Sequence, residues 1–207
     1  MGDVIMLLEI DYALFWFFNV FVSNPFFDLI VPHITSERNL MFVYYVASAT
    51  HIAMSKNKLD GLKRVIIASL VLGAADASGH RIIKPFFDRY RPSHSMFFVN
   101  DVHIMFPEIN FLLGRRSSLS FMSNHAITNA ALATVWTLWF PKAGYVLVPL
   151  AVFIAYTRVY VGVHYPFDLF FGLIYGFFVG WLGYRLTRRF FVKKENTKEN
   201  AKEEQKP

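Results

Sequence analysis

Five apolar segments constrain the fold of this chain more than any other feature of its sequence. They run over about 38–55, 62–83, 123–140, 142–158 and 166–187. Each is close to the roughly 20 residues that an α-helix needs to cross a bilayer. Some could be buried helices of a soluble protein, but five of them within 207 residues favour a membrane protein. The sequence therefore predicts an all-α fold, a polytopic membrane helical bundle of about five to six transmembrane helices.

The composition agrees with this prediction. Hydrophobic residues make up 55% of the chain and aromatic residues 18%, more than a soluble domain would normally bury. Charged residues are concentrated in the connecting stretches and at the C-terminal end, which is typical of a polytopic membrane protein. We therefore interpret the net charge of +6 as a matter of topology. The expected partner is the membrane bilayer, and no nucleic acid partner is predicted. The absence of cysteine excludes disulfides and thiolate metal sites.

The two ends of the chain differ from its middle. Residues 10–34 are apolar but are interrupted by polar residues and a proline, so residues 1–36 are predicted to form short N-terminal interfacial helices. One bent transmembrane pass is the alternative. Residues 37–190 form the predicted transmembrane domain. The stretch 191–207 is rich in charge and poor in large apolar groups, which predicts a disordered cytoplasmic tail.

Basic residues indicate the orientation of the bundle. The connections after the first and third segments and the end of the fifth contain Lys56, Lys58, Lys63, Arg64, Lys142, Arg185, Arg188, Arg189, Lys193 and Lys194. With five crossings these regions share one side, and the positive-inside rule makes that side cytoplasmic. The opposite side also contains basic residues, namely Lys84, Arg89, Arg91, Arg115, Arg116 and Arg158. The positive-inside rule predicts few basic residues on that external side, so the presence of these six requires another explanation.

The first of three polar stretches that supply such a reason is 84–92, KPFFDRYRP. Lys84 and Arg91 can point at one anion if the chain turns at its proline-interrupted helix end. The alternative is that both side chains snorkel toward lipid headgroups. Two neighbouring residues have open interpretations: His80 could orient Lys84 or simply lie at the interface, and Asp88 could pair with a nearby arginine.

The second stretch is 120–126, SFMSNHA, at the start of an apolar segment. Ser123 is a plausible N-cap, and the free backbone N–H groups that follow an N-cap bind phosphate well. His125 lies within the same first turn. The alternative is an ordinary N-cap with an incidental interfacial histidine.

The third stretch is 156–168, YTRVYVGVHYPFD. Its proline suits the first turn of a helix, which places Asp168 in that turn and His164 just before it. The carboxylate can reach back to one imidazole nitrogen and leave the other free to attack. Arg158 can hold an oxyanion with its planar fork. The predicted topology brings all three stretches to the outer face, where they form a pocket for a tetrahedral oxyanion.

The order and spacing of these residues resemble the three-part signature of the type-2 phosphatidic acid phosphatase superfamily. The matching positions are Lys84-x6-Arg91-Pro92, Ser123-Asn124-His125 and Arg158-x5-His164-x3-Asp168. The second motif of the family often has glycine where this chain has Asn124, and the third often begins with serine where this chain has Thr157. Asn124 keeps the backbone N–H but could narrow the pocket.

The resemblance implies a role for each matching residue. His164 would be the nucleophile that forms a phosphohistidine, Asp168 would fix its tautomer, and His125 would be the general acid. The phosphoryl oxygens would be held by Lys84, Arg91, Ser123, Asn124 and Arg158. No metal and no cofactor are required, and residues 37–190 would be the catalytic domain.

The function implied by the resemblance is that of an integral inner (plasma) membrane lipid phosphatase with its active site at the periplasmic leaflet. Undecaprenyl diphosphate or lipid A 1-phosphate is favoured as the substrate, and phosphatidylglycerophosphate or phosphatidic acid is possible. One alternative is a phosphotransferase that uses the same site. The other is a lipid transporter or scramblase, which would need the cations but not His164 and Asp168 in register. The sequence does not predict the oligomeric state.

Overall fold

The protein is described by a computed structural model that covers residues 2–87, 89–92 and 119–191. In chain order its helices are α1 (Gly2–Trp16), α2 (Pro25–Thr35), α3 (Glu37–Met54), α4 (Lys58–Ser78), α5 (Asn124–Trp139), α6 (Gly144–Tyr160) and α7 (Pro166–Thr187). An antiparallel bridge between Tyr90 and Leu119 is the only β contact within these ranges. The all-α prediction is confirmed. The predicted tail lies outside the described residues beyond position 191.

Short turns of other helix types extend these elements. The π-helical turn Phe17–Phe21 follows α1, and another, Gly79–Ile83, follows α4. The 3-10 turns are Lys84–Phe86, after the second π turn, and Pro141–Ala143, before α6. The π turn after α4 brings the chain to the first polar stretch.

Most helix limits agree with the sequence. The last predicted segment, 166–187, has the limits of α7, and Ser123 is the N-cap of α5 as predicted. The second segment begins earlier than predicted, at Lys58. The reason is Asn57, whose side chain caps the start of α4. It accepts hydrogen bonds from the backbone N–H groups of Leu59, at 3.0 Å, and Asp60, at 3.4 Å.

The N-terminal region is broken at the predicted place. Asn24 caps α2 by accepting the N–H groups of Phe26 and Phe27, both at 3.1 Å, and Pro25 is the first residue of α2. The two N-terminal helices are bent by 112° relative to each other. Their lengths and composition allow the pair to be one broken crossing or a re-entrant loop. The interfacial interpretation and the bent-pass alternative therefore both stay predictions.

The number of crossings also stays a prediction. Within the described residues, three stretches are long and apolar enough to span a membrane: Lys58–Phe86, Pro141–Tyr160 and Pro166–Phe191. The bent N-terminal pair could make a fourth. Helix α5 has 16 residues. It is therefore about 24 Å long, which is short of a hydrocarbon core of about 30 Å. An apolar outer surface fits a bilayer, as shown by the exposed side chains of Phe42, Leu70, Phe170, Ile174 and Phe177.

The closest helix packing is between α5 and α7, which run parallel. Glycines four residues apart on α7 face α5, in the small-xxx-small pattern of membrane helix pairs. Gly172 lies against Ala126, and Gly176 lies against Ala130. A Cβ atom at Gly176 would be 2.2 Å from the carbonyl oxygen of Ile127. Only a residue without a side chain fits there, so glycine sets the distance between the two helices.

This packing predicts that Gly176→Ala is destabilising. The added methyl group would collide with backbone, which cannot move aside cheaply, and we expect a loss of about 1–3 kcal/mol in the free energy of unfolding. Unfolding in detergent measures this. Gly73→Ala is the matched control, because a Cβ atom at Gly73 meets nothing within 4 Å. Equal stability of the two variants would contradict the packing described here.

Candidate active site

The three polar stretches meet where α4 and α6 end and α5 and α7 begin. The backbone N–H of Ser123 donates to the carbonyl of Asp168 at 3.2 Å and joins the starts of α5 and α7. Helix starts leave backbone N–H groups without intrahelical partners and have the positive end of the helix macrodipole. Two such starts side by side create a region that favours an anion.

The turn between α6 and α7 positions the histidine of the third motif. Gly162 ends α6 with a φ of 79°, in the left-handed region that glycine tolerates best. The N–H groups of Val163 and His164 then donate to the carbonyl of Arg158, at 3.1 and 3.2 Å. This reversal holds the backbone of His164 beside that of Arg158 and leads into the first turn of α7.

His164 is buried, with 2% of its surface exposed, and one of its ring nitrogens faces a carboxylate. Nδ1 lies 3.4 Å from Oδ2 of Asp168 and 3.3 Å from Oγ of Ser120. The same Oδ2 accepts the backbone N–H of Tyr165 at 2.9 Å and the hydroxyl of Ser120. The carboxylate is thus held by the start of α7 and directed toward Nδ1.

The cations of the first and third motifs lie close enough to His164 to lower the pKa of its imidazole. Burial, and then the charges of Arg91, Lys84 and Arg158, hold the pKa of the His164 imidazole well below its usual value of 6.5. The sign follows from the chemistry of imidazole: burial and nearby positive charge both disfavour the protonated ring. His164 is therefore neutral at neutral pH, with a lone pair on one of its nitrogens.

Several atoms of the predicted phosphate-binding residues are buried without a hydrogen-bond partner. Within the described residues this holds for Oγ of Ser123 and for Nε of Arg91 and of Arg158. Lys84 is also buried, at 6% exposed. Buried polar groups normally have hydrogen-bond partners, so unpaired donors on residues around one histidine indicate a ligand-binding site.

The last residue of α2 connects the second and third motifs. Nε2 of His125 lies 3.2 Å from the carbonyl oxygen of Thr35, which favours a proton on that nitrogen. The hydroxyl of Thr35 accepts a hydrogen bond of 2.7 Å from the guanidinium of Arg158. Sequence reasoning missed Thr35, because nothing in its neighbourhood marks it as more than a helix end.

Sequence reasoning also missed a buried ion-pair group around Arg89. This guanidinium donates to Oδ1 of Asp168 at 3.0 Å and to Oδ2 of Asp11 at 2.5 Å, and lies 3.9 Å from the centre of the Tyr165 ring. A signal was present, since Asp11 is an ionisable residue in an apolar segment and such residues are functional candidates by default. Asp88, which the sequence suggested as a partner for a nearby arginine, lies outside the described residues. Arg115 and Arg116 do so as well.

The side chain of Asn124, where the family often has glycine, is turned toward α4. Its Nδ2 donates to Oδ1 of Asp76 at 2.8 Å and contacts Nδ1 of His80. Space for this side chain comes from Gly79, where a Cβ atom would be 2.6 Å from Oδ1 of Asn124. The backbone N–H of Asn124 stays in the first turn of α5, at the level of the phosphate-binding residues.

Comparison with known proteins identifies the family. A family model described as the PAP2 superfamily matches residues 64–191. The chain is 30% identical over 192 residues to a lipid A 4'-phosphatase of Bacteroides thetaiotaomicron, covering 88% of this chain and 79% of that protein. It is 26% identical over 156 residues to an undecaprenyl-diphosphatase of Sulfolobus acidocaldarius, covering 74% of this chain and 68% of that protein.

A solved structure supports the fold. The crystal structure of Aquifex aeolicus LpxE superposes with a TM-score of 0.64 at 24% sequence identity, and the match covers 84% of this chain and 94% of that one. The resemblance drawn from the three motifs is confirmed at the level of the family.

The contact between α4 and Asn124 generates a prediction. Gly79→Ala should destabilise the protein by about 1–3 kcal/mol, because the new methyl group meets the Asn124 side chain. In an Asn124→Gly background the loss of stability should be smaller. Unfolding in detergent of the wild type, the two single variants and the double variant measures this difference as a double-mutant cycle. Asn129→Gly, on the same helix, is the control background and should leave the loss unchanged. Equal losses in all backgrounds would contradict the contact.

Proposed function

The chain belongs to the PAP2 superfamily of membrane lipid phosphatases, and we propose that it hydrolyses a phosphorylated envelope lipid at the periplasmic face through a phosphohistidine. Lipid A-type glycosyl phosphates and undecaprenyl diphosphate are the favoured substrates. The observation that carries the proposal is the buried imidazole of His164, whose Nδ1 lies 3.4 Å from the carboxylate of Asp168. The charges of Arg91, Lys84 and Arg158 also lower its pKa.

The first chemical step uses the nitrogen that Asp168 leaves free. With the proton of His164 on Nδ1 and directed at the carboxylate, the lone pair on Nε2 attacks phosphorus. A P–N bond forms while the bond from phosphorus to the lipid oxygen breaks. Asp168 stabilises the positive charge that develops on the ring, and it holds the ring in the tautomer that reacts.

The remaining groups handle protons and charge. His125 donates a proton to the departing lipid oxygen and then removes one from the water that attacks the phosphoenzyme. That water breaks the P–N bond and releases inorganic phosphate, which restores His164. Lys84, Arg91 and Arg158, with the first backbone N–H groups of α5, stabilise the charge on the transferring phosphoryl group. None of these steps requires a metal.

An apolar cavity supports a lipid as the substrate. It has a volume of about 300 Å³, lies between α3, α5 and α6, and is lined mainly by apolar side chains such as Leu40, Val43, Leu132 and Ile154. Asn129, which also lines the cavity, donates a hydrogen bond of 2.8 Å to the carbonyl of His125. The cavity thus begins about one helical turn from the proposed general acid, where the chain of a leaving lipid can lie.

The placement of charge supports the proposed orientation. The guanidinium of Arg64 lies 5.4 Å from the ring of Phe140 and 4.9 Å from that of Phe191, so the start of α4 meets the ends of α5 and α7. That end of the bundle contains most of the basic residues in the described connections and is opposite to the site. Three of the basic residues that oppose the positive-inside rule, Lys84, Arg91 and Arg158, belong to the proposed phosphate-binding site, so the rule and the site together favour a periplasmic active site.

The enzyme proposal predicts that His164→Ala and His125→Ala each lower phosphate release by at least about a hundredfold, since both groups act in proton transfer or bond formation. The assay measures inorganic phosphate released by purified protein in detergent from four substrates: a lipid A phosphate, undecaprenyl diphosphate, phosphatidylglycerophosphate and phosphatidic acid. His33→Ala is the control, because this histidine is exposed on α2. It should retain activity within about twofold.

Other outcomes distinguish the alternatives. Undiminished phosphate release by both variants would contradict the enzyme proposal, and a protein without hydrolytic activity that moves the same lipids between leaflets would favour a transporter or scramblase. Loss of substrate without release of inorganic phosphate, together with a newly phosphorylated lipid, would favour a phosphotransferase. The substrate hydrolysed fastest identifies the lipid class.

The orientation generates a second prediction. A fluorescent protein that folds only in the cytoplasm should fluoresce when it is fused after residue 207, and alkaline phosphatase at the same position should be inactive. A fusion within 93–118 should give the opposite result, because that stretch connects two segments at the site end. Matched expression levels are the control. Reversed signals would place the site on the cytoplasmic side.

A further inference from the structure

We propose that Asp11 of α1 is a positioning residue for the phosphatase reaction, acting through Arg89 on the carboxylate of Asp168. This inference rests on the proposed function, because it assigns Asp11 to the group that orients His164. It is carried by a partly buried set of hydrogen bonds that joins the N-terminal helix to the first turn of α7.

Asp11 has both carboxylate oxygens engaged and is fully buried, at 0% exposed. Oδ1 accepts the backbone N–H of Phe167 at 2.8 Å, and Oδ2 accepts the guanidinium of Arg89 at 2.5 Å. Phe167 is the residue before Asp168. A single side chain of α1 therefore holds both the backbone next to Asp168 and the arginine that binds the Asp168 carboxylate.

The second branch of the Arg89 guanidinium fixes the rotation of Asp168. It donates to Oδ1 at 3.0 Å, whereas Oδ2 is the oxygen that faces Nδ1 of His164. The guanidinium also lies over the ring of Tyr165, at 3.9 Å. A planar fork held by two carboxylates and one aromatic face has little freedom to turn, so Asp168 presents the same oxygen to the histidine.

The negative charge of Asp11 also contributes to the arrangement, because it balances part of the charge of Arg89. A partly buried arginine that had Asp168 as its single anionic partner would draw the carboxylate away from the imidazole. Asp11 shares the positive charge of Arg89, and the pair of carboxylates also compensates a cation that would be costly to bury unpaired. Lys84, Arg91 and Arg158 form no ion pair within the described ranges, so binding of the phosphate should not depend on Asp11.

The test compares Asp11→Asn with the wild type in the phosphate-release assay, with dioctanoyl phosphatidic acid and undecaprenyl diphosphate as substrates. We expect kcat to fall about tenfold or more, as is common when the group that orients a catalytic side chain is lost. We expect KM, and the inhibition constant of inorganic phosphate, to change by less than about twofold. Asp11→Glu restores a carboxylate and should recover part of the lost kcat. Glu9→Gln removes an exposed charge from the same helix and is the matched control.

Three results would overturn the inference. The first is a kcat of Asp11→Asn within twofold of the wild type. The second is a fall in kcat matched by an equal weakening of phosphate inhibition, which indicates a general structural role. The third is no recovery with Asp11→Glu in a protein whose melting temperature equals that of the wild type.

A folding defect in Asp11→Asn would not end the test. Arg89→Lys keeps the positive charge but cannot bridge two carboxylates with a planar fork, so it should show the same fall in kcat at constant phosphate inhibition. Normal kcat in that variant would overturn the inference. The proposed function is judged separately by His164→Ala. Undiminished activity there removes the phosphohistidine route, whereas an inactive His164→Ala beside a normal Asp11→Asn removes only the role of Asp11.

Discussion

The close approach of α5 and α7 is the constraint on which the rest of the structure depends. Because Gly172, Gly176 and Gly180 have no side chains, α7 runs directly against carbonyl oxygens of α5. The two helices are parallel, so their first turns lie at one level, and Ser123 donates to the backbone of Asp168. Two helix starts then combine their macrodipoles at the place where the second and third motifs end. A larger separation would take His164 away from the phosphate-binding N–H groups.

The site at the two helix starts contains several basic side chains. They fall into two groups, those paired with carboxylates of the protein and those without an ion-pair partner. Arg89 binds Asp11 and Asp168, so its charge is compensated inside the protein. Within the described residues, Lys84, Arg91 and Arg158 form no ion pair. The cations without an ion-pair partner are thus those of the first and third family motifs. This division explains how four basic side chains can lie at one end of an apolar bundle.

Local signals were sufficient for much of this arrangement. The proline at the first position of α7 and the acidic residue in its first turn each act within a few residues, so the limits of α7 and the position of His164 just before it followed from the sequence. The prediction that three distant motifs meet followed from the predicted topology and from the resemblance to the family, not from periodicity. Periodicity shows which residues share a helix face, but not which faces meet.

The contacts that the sequence did not reveal depend on how helices pack. Asp11 and Arg89 are 78 positions apart, and their pairing requires α1 to lie against the start of α7. The position of Asn124 likewise depends on Gly79, a glycine of the π turn after α4, which leaves room for the side chain. Asn124, where the family often has glycine, is therefore accommodated by the missing side chain at Gly79. The sequence around either residue alone does not reveal this contact.

The N-terminal helices contact the site on both sides of the reacting atoms. Asp11 is linked to His164 through Arg89 and Asp168, and Thr35 contacts both His125 and Arg158. The family model begins at residue 64, so both contacts come from outside the part of the chain that defines the superfamily. The motifs supply three cations and the two histidines, while the N-terminal helices contact Arg89, which binds Asp168, and also contact His125 and Arg158 directly. Packing of α1 and α2 is therefore coupled to the arrangement of the site, whether these helices cross the membrane or lie in its interface.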